Sequence, residues 1–248
     1  MKLTVLLLFS ILPFVSQAQV EVQLAMQWMD EYSKPGPLDL SSADAFYKAK
    51  DYKSAQKVLD EYKKTYPNHE DILLFEGKIL MDRKKYDKAM ELFDKVLLIN
   101  PKNARAFYYR GLNTDLQGDH VNAVVQFTQA ITLKPDYSLP YEGRATSKSF
   151  LGDNFGAIED YSKAIELNSK LYFAYEGRGI AYHKTGQHKE AIDDMVQVLK
   201  NDSKRRLAIY YLGLSKVKSG DRSGCRDLSN AFTLGLQGAA AEMKKYCE

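Results

Sequence analysis

Two cysteines, one tryptophan and four histidines in 248 residues leave little material for site chemistry. Both cysteines, Cys225 and Cys247, lie near the C-terminus, which excludes a cysteine-rich metal scaffold, and no Cys-x-x-Cys redox pair exists. There is no Gly-x-Ser-x-Gly elbow, no His-Glu-x-x-His and no phosphate-cradling Gly-x-x-x-x-Gly-Lys. Gly177-Arg178-Gly179 starts like a dinucleotide fingerprint, but Tyr182 stands where the third glycine belongs. His69, His120, His183 and His188 have no cysteine or carboxylate at ligand spacing, so neither a metal nor a cofactor is expected. Lysine and arginine number 35 against 32 acidic residues. A formal charge of +3 is too small a bias to argue for nucleic acid or an anionic membrane. Catalysis is therefore not expected.

Long hydrophobic runs are also scarce. The one candidate is Leu3 to Val15, preceded by Lys2 and followed by Ser16-Gln17-Ala18. That order reads as a secretory signal peptide over 1–18, cut before Gln19. The run falls short of the roughly 20 residues that a bilayer span needs, and no cysteine near the cut offers a lipid attachment point. A periplasmic or secreted chain with no stable membrane anchor is expected. From 19 to 35, Val22, Met26 and Met29 form one apolar stripe and Leu24, Trp28 and Tyr32 a second, predicting a short N-terminal helix. Pro35-Gly36-Pro37 would stop it.

The remainder is organised by an interval of 34 residues. Small residues recur at Ala43, Gly77, Gly111, Ala145, Gly179 and Gly213, and again at Ala55, Ala89, Ala123, Ala157, Ala191 and Cys225. Proline recurs at Pro67, Pro101 and Pro135, and glycine at Gly118, Gly152, Gly186 and Gly220. Within one copy the order Phe107, Gly111, Ala123, Phe127, Ala130, Pro135 closely resembles the tetratricopeptide repeat. The resemblance implies an all-α, right-handed solenoid of six helix-turn-helix repeats, over 36–69, 70–103, 104–137, 138–171, 172–205 and 206–238. A capping helix over 239–248 would close the last apolar face. Each glycine of the Gly118 series should end a first helix in the left-handed region; Lys50 and Lys84 replace it in the first two repeats, which predicts looser turns there. Ser169 and Ser203 replace the terminal proline and are expected to cap the helices that follow.

Arg110, Arg144 and Arg178 form a ladder of one arginine per repeat, facing Gln126, Asp160 and Asp194 at a shared offset of the second helices. A fork from arginine to carboxylate across each hairpin is the expected tie. The family resemblance also implies an interaction scaffold whose ligands lie on a concave wall of first helices. Its offsets give Leu74, Met81, Tyr108, Tyr109, Leu112, Glu142, Phe150, Phe173, Glu176, Tyr210 and Leu214, an aromatic wall with two acidic points suited to a basic or amide-bearing segment. The paired lysine, asparagine and arginine clamp by which some members grip chaperone tails is missing. The expected partner is a protein or peptide. An auxiliary subunit of an envelope or secretion enzyme complex, a carbohydrate-binding module, and self-association stay open as alternatives. Cys225 and Cys247 each lie about 10 residues from a turn near 234–238, on antiparallel helices, so an exported chain is expected to join them. The closing segments of exported bacterial repeat proteins, which this one resembles, point the same way.

Overall fold

A computed structural model describes residues 38–248. The expected signal peptide, the helix expected around Trp28 and the expected Pro35–Pro37 linker lie outside the described residues. The chain divides into two compact units, Met1–Asp71 and Ile72–Glu248.

In the first unit, α1 (Ser41–Lys48) and α2 (Tyr52–Thr65) pack as a hairpin around Ala43, Ala55 and Leu59, which are fully buried. Helix α1 has eight residues where the later first helices have thirteen. The Tyr62 hydroxyl donates to the Asp39 carbonyl at 2.8 Å and ties the end of α2 to the entry of α1.

The second unit takes in α3 (Glu70–Asp82), which starts just before the division, and then α4 (Tyr86–Ile99), α5 (Ala104–Leu116) and α6 (His120–Leu133). It continues with α7 (Ser138–Phe150), α8 (Asn154–Leu167), α9 (Tyr172–Lys184), α10 (His188–Asn201), α11 (Arg206–Lys218), α12 (Gly224–Thr233) and α13 (Gly238–Tyr246). No strand occurs among the described residues. The first helices α3, α5, α7, α9 and α11 begin 34 residues apart, so sequence period and structural period coincide. The fold is an all-α tetratricopeptide-type solenoid.

The small landmarks exist because of what sits opposite. Phe127 of α6 is fully buried between Gly111 and Gly143, and a Cβ at either glycine would stand within 2.7 Å of its ring. One aromatic thus wedges its own first helix and the next one, and its burial stabilises the stack by roughly 2–3 kcal/mol. Phe93 and Tyr161 take the same place against Gly77 and Gly177. Ala123, Ala157 and Ala191 are fully buried where the two helices of a hairpin approach.

The hairpin turns correct one expectation. Lys50 and Lys84 adopt φ of 59° and 58°, the same left-handed region as Gly118 at 86°. The Lys84 turn also keeps the hydrogen bonds of the glycine turns, with the Lys84 and Lys85 amides donating to Met81 and Leu80 carbonyls at 2.8 Å. These turns are as tight as the others, because packing of the hairpin dictates the backbone and the lysine is forced to follow. A second correction concerns Ser169 and Ser203, which cap nothing: α9 and α11 have no side-chain cap at Leu171 and Arg205. Asn168 and Asp202 instead accept from the Lys170 and Lys204 amides at 3.0 Å, satisfying the connection from the preceding residue.

At the C-terminal end, α12 starts two residues late, so its ten residues are shorter than the fourteen of α10. Gly213 and Gly224 bring α11 and α12 into backbone contact; a Cβ on Gly213 would lie 2.8 Å from the Gly224 carbonyl. Helix α13 packs on α12, burying Ala239 with Ala231 and Ile209. Cys225 and Cys247 are joined, with 5.8 Å between their Cα atoms, and the Arg222 guanidinium donates to the Cys247 carbonyl at 3.2 Å.

Candidate functional site

Successive first helices of the second unit touch one another directly, from α5 to α7, α7 to α9 and α9 to α11. Second helices instead pack on the first helices flanking them, which leaves the first helices as the inner wall of this unit.

Behind that wall runs the arginine ladder. Arg144 forks onto Asp160 with Nε and Nη2 contacts of 2.8 and 2.6 Å, while its Nη1 reaches the Thr128 hydroxyl of the preceding repeat at 3.1 Å. Arg178 repeats the pattern with Asp194 at 2.8 and 2.8 Å and Ser162 at 3.0 Å. Each guanidinium therefore ties its own hairpin and the one before it. Burial pushes the Asp194 carboxyl up, and the Arg178 fork opposes that shift. Arg110 differs: its Nη1 lies 3.3 Å from Asp94 of the preceding repeat, but its Nε is buried without a partner, as is the Gln126 Oε1 that replaces an aspartate oxygen. The ladder is structural in its geometry.

The residues named for the wall do not share one environment. Leu74 and Met81 belong to the core around Phe93 and Ala89, and Leu214 is also buried. These three are corrections: an aliphatic side chain at the edge of a hairpin core folds inward, since leaving it wet forfeits about 1.5–3 kcal/mol. Tyr109 stacks on Phe93 with centroids 5.7 Å apart, and Leu112 packs on the same cluster, both half-buried. Tyr210 is half-buried against Tyr211 at 5.1 Å. Phe150 is 69% exposed at the end of α7, where its ring lies flat on His120 at 4.6 Å.

Glu176 is the fourth correction. It is 6% exposed and held by Arg205, whose Nε and Nη2 contact its two oxygens at 2.9 and 2.7 Å. Arg205 also lies over the Phe173 ring at 4.9 Å, and Phe173 itself is 65% exposed. These residues border a recess of about 200 Å³ with Leu171, Tyr172 and Val198. The acidic point expected at Glu176 is thus already neutralised. Sequence reasoning missed Arg205; its separation of 29 residues from Glu176 is the signal that would have found it, because Tyr137 stands at the same separation from Tyr108.

Tyr108 is the hub of an aromatic cluster with Tyr109, Phe127 and Tyr137 at 5.2, 6.1 and 5.4 Å. Burial, then Tyr137, Tyr109 and Glu142 in turn, push its phenol well above the ordinary range. Glu142, on the next first helix, is half-buried and its carboxyl is pushed up by burial. One turn further along α7, the Thr146 hydroxyl donates to the Glu142 carbonyl and contacts the Tyr161 hydroxyl at 3.0 Å. Tyr108, Glu142, Thr146 and Tyr161 are therefore brought together.

A tetratricopeptide repeat model matches residues 46–109 and a second matches 174–205. These two segments, less than half of the chain, are thus similar to tetratricopeptide repeats, a family of generally non-catalytic protein–protein interaction scaffolds. Among solved structures, it is similar to the crystal structure of YrrB, described as a TPR protein with an unusual peptide-binding site. That pair has a TM-score of 0.63 at 18% identity, covering 75% of this chain and 97% of the other. It is also similar to a crystal structure of the MamA protein, with a TM-score of 0.59 at 20% identity, covering 71% and 94%. A second MamA crystal structure matches at 26% identity with a TM-score of 0.53, covering 66% and 95%. No curated protein matches the chain in sequence. No helix among the described residues is long and apolar enough to cross a membrane.

Proposed function

We propose that this chain is an exported scaffold that binds a protein or peptide segment along the wall of first helices from α5 to α11. Phe173 carries this reading. It is 65% exposed on α9, and repeat stacking is complete without it, since the wedge positions belong to Phe127, Tyr161 and Met195. A large aromatic left wet on an inner wall supplies the anchoring area that peptide grooves use, at little rotamer cost. Tyr210, further along the same wall, would extend the contact. Export is supported by the signal-like segment 1–18 and by the cysteine pair of the closing helices; mass measurement of the exported chain should give a mature start at Gln19.

The test of binding uses peptides selected from a random display library on the full mature chain. Phe173→Ala with Tyr210→Ala should weaken the selected peptides at least about tenfold, or about 1.4 kcal/mol, with helicity and melting nearly unchanged. Phe155→Ala, on the exposed start of α8, should have no effect. Binding that survives the first pair and is lost with the second change would move the site off this wall.

A further inference from the structure

Three repeats carry informative pairs at one geometric relation, the residue at the wall offset and the residue 29 positions later. In the third repeat the pair is Tyr108 and Tyr137, rings 5.4 Å apart; in the fifth it is Glu176 and Arg205, joined by a fork at 2.9 and 2.7 Å. In the fourth it is Glu142 and Leu171. Leucine carries no charge and no donor, and it packs into the Tyr161 cluster. Glu142 consequently has a half-buried carboxylate with no hydrogen bond or ion pair among the described residues. Partial desolvation of an unpaired carboxylate is a cost that stacking does not require, because an uncharged residue at that offset would avoid it.

Resting on the groove reading above, we infer that Glu142 is the receptor for one arginine side chain of the bound segment, which takes the place at α7 that Arg205 takes at α9. The fifth repeat is the internal template: a carboxylate at this offset accepts a bidentate guanidinium, and the guanidinium gains an aromatic face, with Arg205 lying 4.9 Å from the Phe173 centroid. Near Glu142 the half-buried Tyr108 offers an aromatic face, while Tyr161 stays buried as a wedge against Gly177. The Tyr108 hydroxyl has no hydrogen-bond partner among the described residues and offers an acceptor beside the carboxylate. Arginine is favoured over lysine because the fork matches both carboxylate oxygens at once.

The probes are displayed random peptides selected on the full mature chain, then synthesised with each arginine replaced in turn by citrulline, its neutral isostere. We expect an arginine in the selected sequences, at least a tenfold loss with citrulline, and the same loss for Glu142→Gln against the arginine peptide. The citrulline peptide should not distinguish Glu142→Gln from the parent. Leu171→Arg supplies the missing partner internally and should also abolish arginine recognition; circular dichroism and melting of each variant establish that it is folded. Selected peptides that lose binding in the Phe173→Ala, Tyr210→Ala pair but keep it in Glu142→Gln would overturn this inference and leave the groove standing. Peptides indifferent to both changes would overturn the groove as well, and selected peptides without arginine would refute the guanidinium assignment.

Discussion

Mild acid should act on His183 before it acts on the rest of the solenoid. The ring is 7% exposed, bonds the Ser215 hydroxyl at 2.9 Å through Nδ1, and lies 5.1 Å from His188 and 5.5 Å from Tyr211. Burial first, then the charges of Lys218 and His188, hold it down to about 4 from an ordinary 6.5. His188 is depressed by burial and Lys218 as well. The sign follows directly: unfolding exposes a histidine that binds a proton below 6.5, so stability is complete above that pH and is lost as pH falls toward 4. At pH 5 linkage gives a loss of up to about 2 kcal/mol, and about 1 kcal/mol once solvent screening on the exposed Lys218 side is allowed for. The assay is urea unfolding at about pH 7.5 and pH 5 for the parent and for His183→Gln, which cannot take up the proton. Carboxylates common to both proteins cancel in the comparison. The parent should lose about 1 kcal/mol more than the variant on acidification. Equal losses would refute the assignment of acid sensitivity to this ring.

Lys84 stands at a φ of 58° with a side chain that penalises it, so Lys84→Gly should raise stability by about 1 kcal/mol in thermal or urea melts. A loss would mean that the lysine makes a compensating contact in the turn. Gln126→Asp should give the orphaned Arg110 Nε the acceptor that Asp160 and Asp194 give their arginines, stabilising by about 1 kcal/mol, while Gln126→Asn should not. Reducing the Cys225–Cys247 bond closes off a constraint on a 22-residue separation and should cost roughly 3 kcal/mol, read as a lower urea midpoint in reductant. Unchanged midpoints with both thiols alkylated would show that the closing helices do not depend on it.

The period of 34 made the helices legible because each landmark answers a local steric demand: a glycine where Phe127 wedges in, an alanine where two helices meet. Those demands are repeated, so one copy explains the others. The arginine forks were legible for the same reason, since Asp160 and Asp194 stand at one offset from Arg144 and Arg178. Exposure on the wall was not, because an offset fixes the direction in which a side chain leaves the helix and not what meets it there. Leu74 and Glu176 share an offset with Tyr108 and Glu142, yet Leu74 closes into the core and Glu176 is claimed by Arg205 from the end of the repeat. The deciding residue lies 29 positions away, outside any helical window, and it varies from Tyr137 to Leu171 to Arg205 while the landmarks stay fixed. The binding proposed above therefore rests on the positions that break the repeat. Glu142 is the clearest of these here: its counterpart one repeat on is satisfied within the chain, whereas its own half-buried carboxylate has no hydrogen bond or ion pair among the described residues.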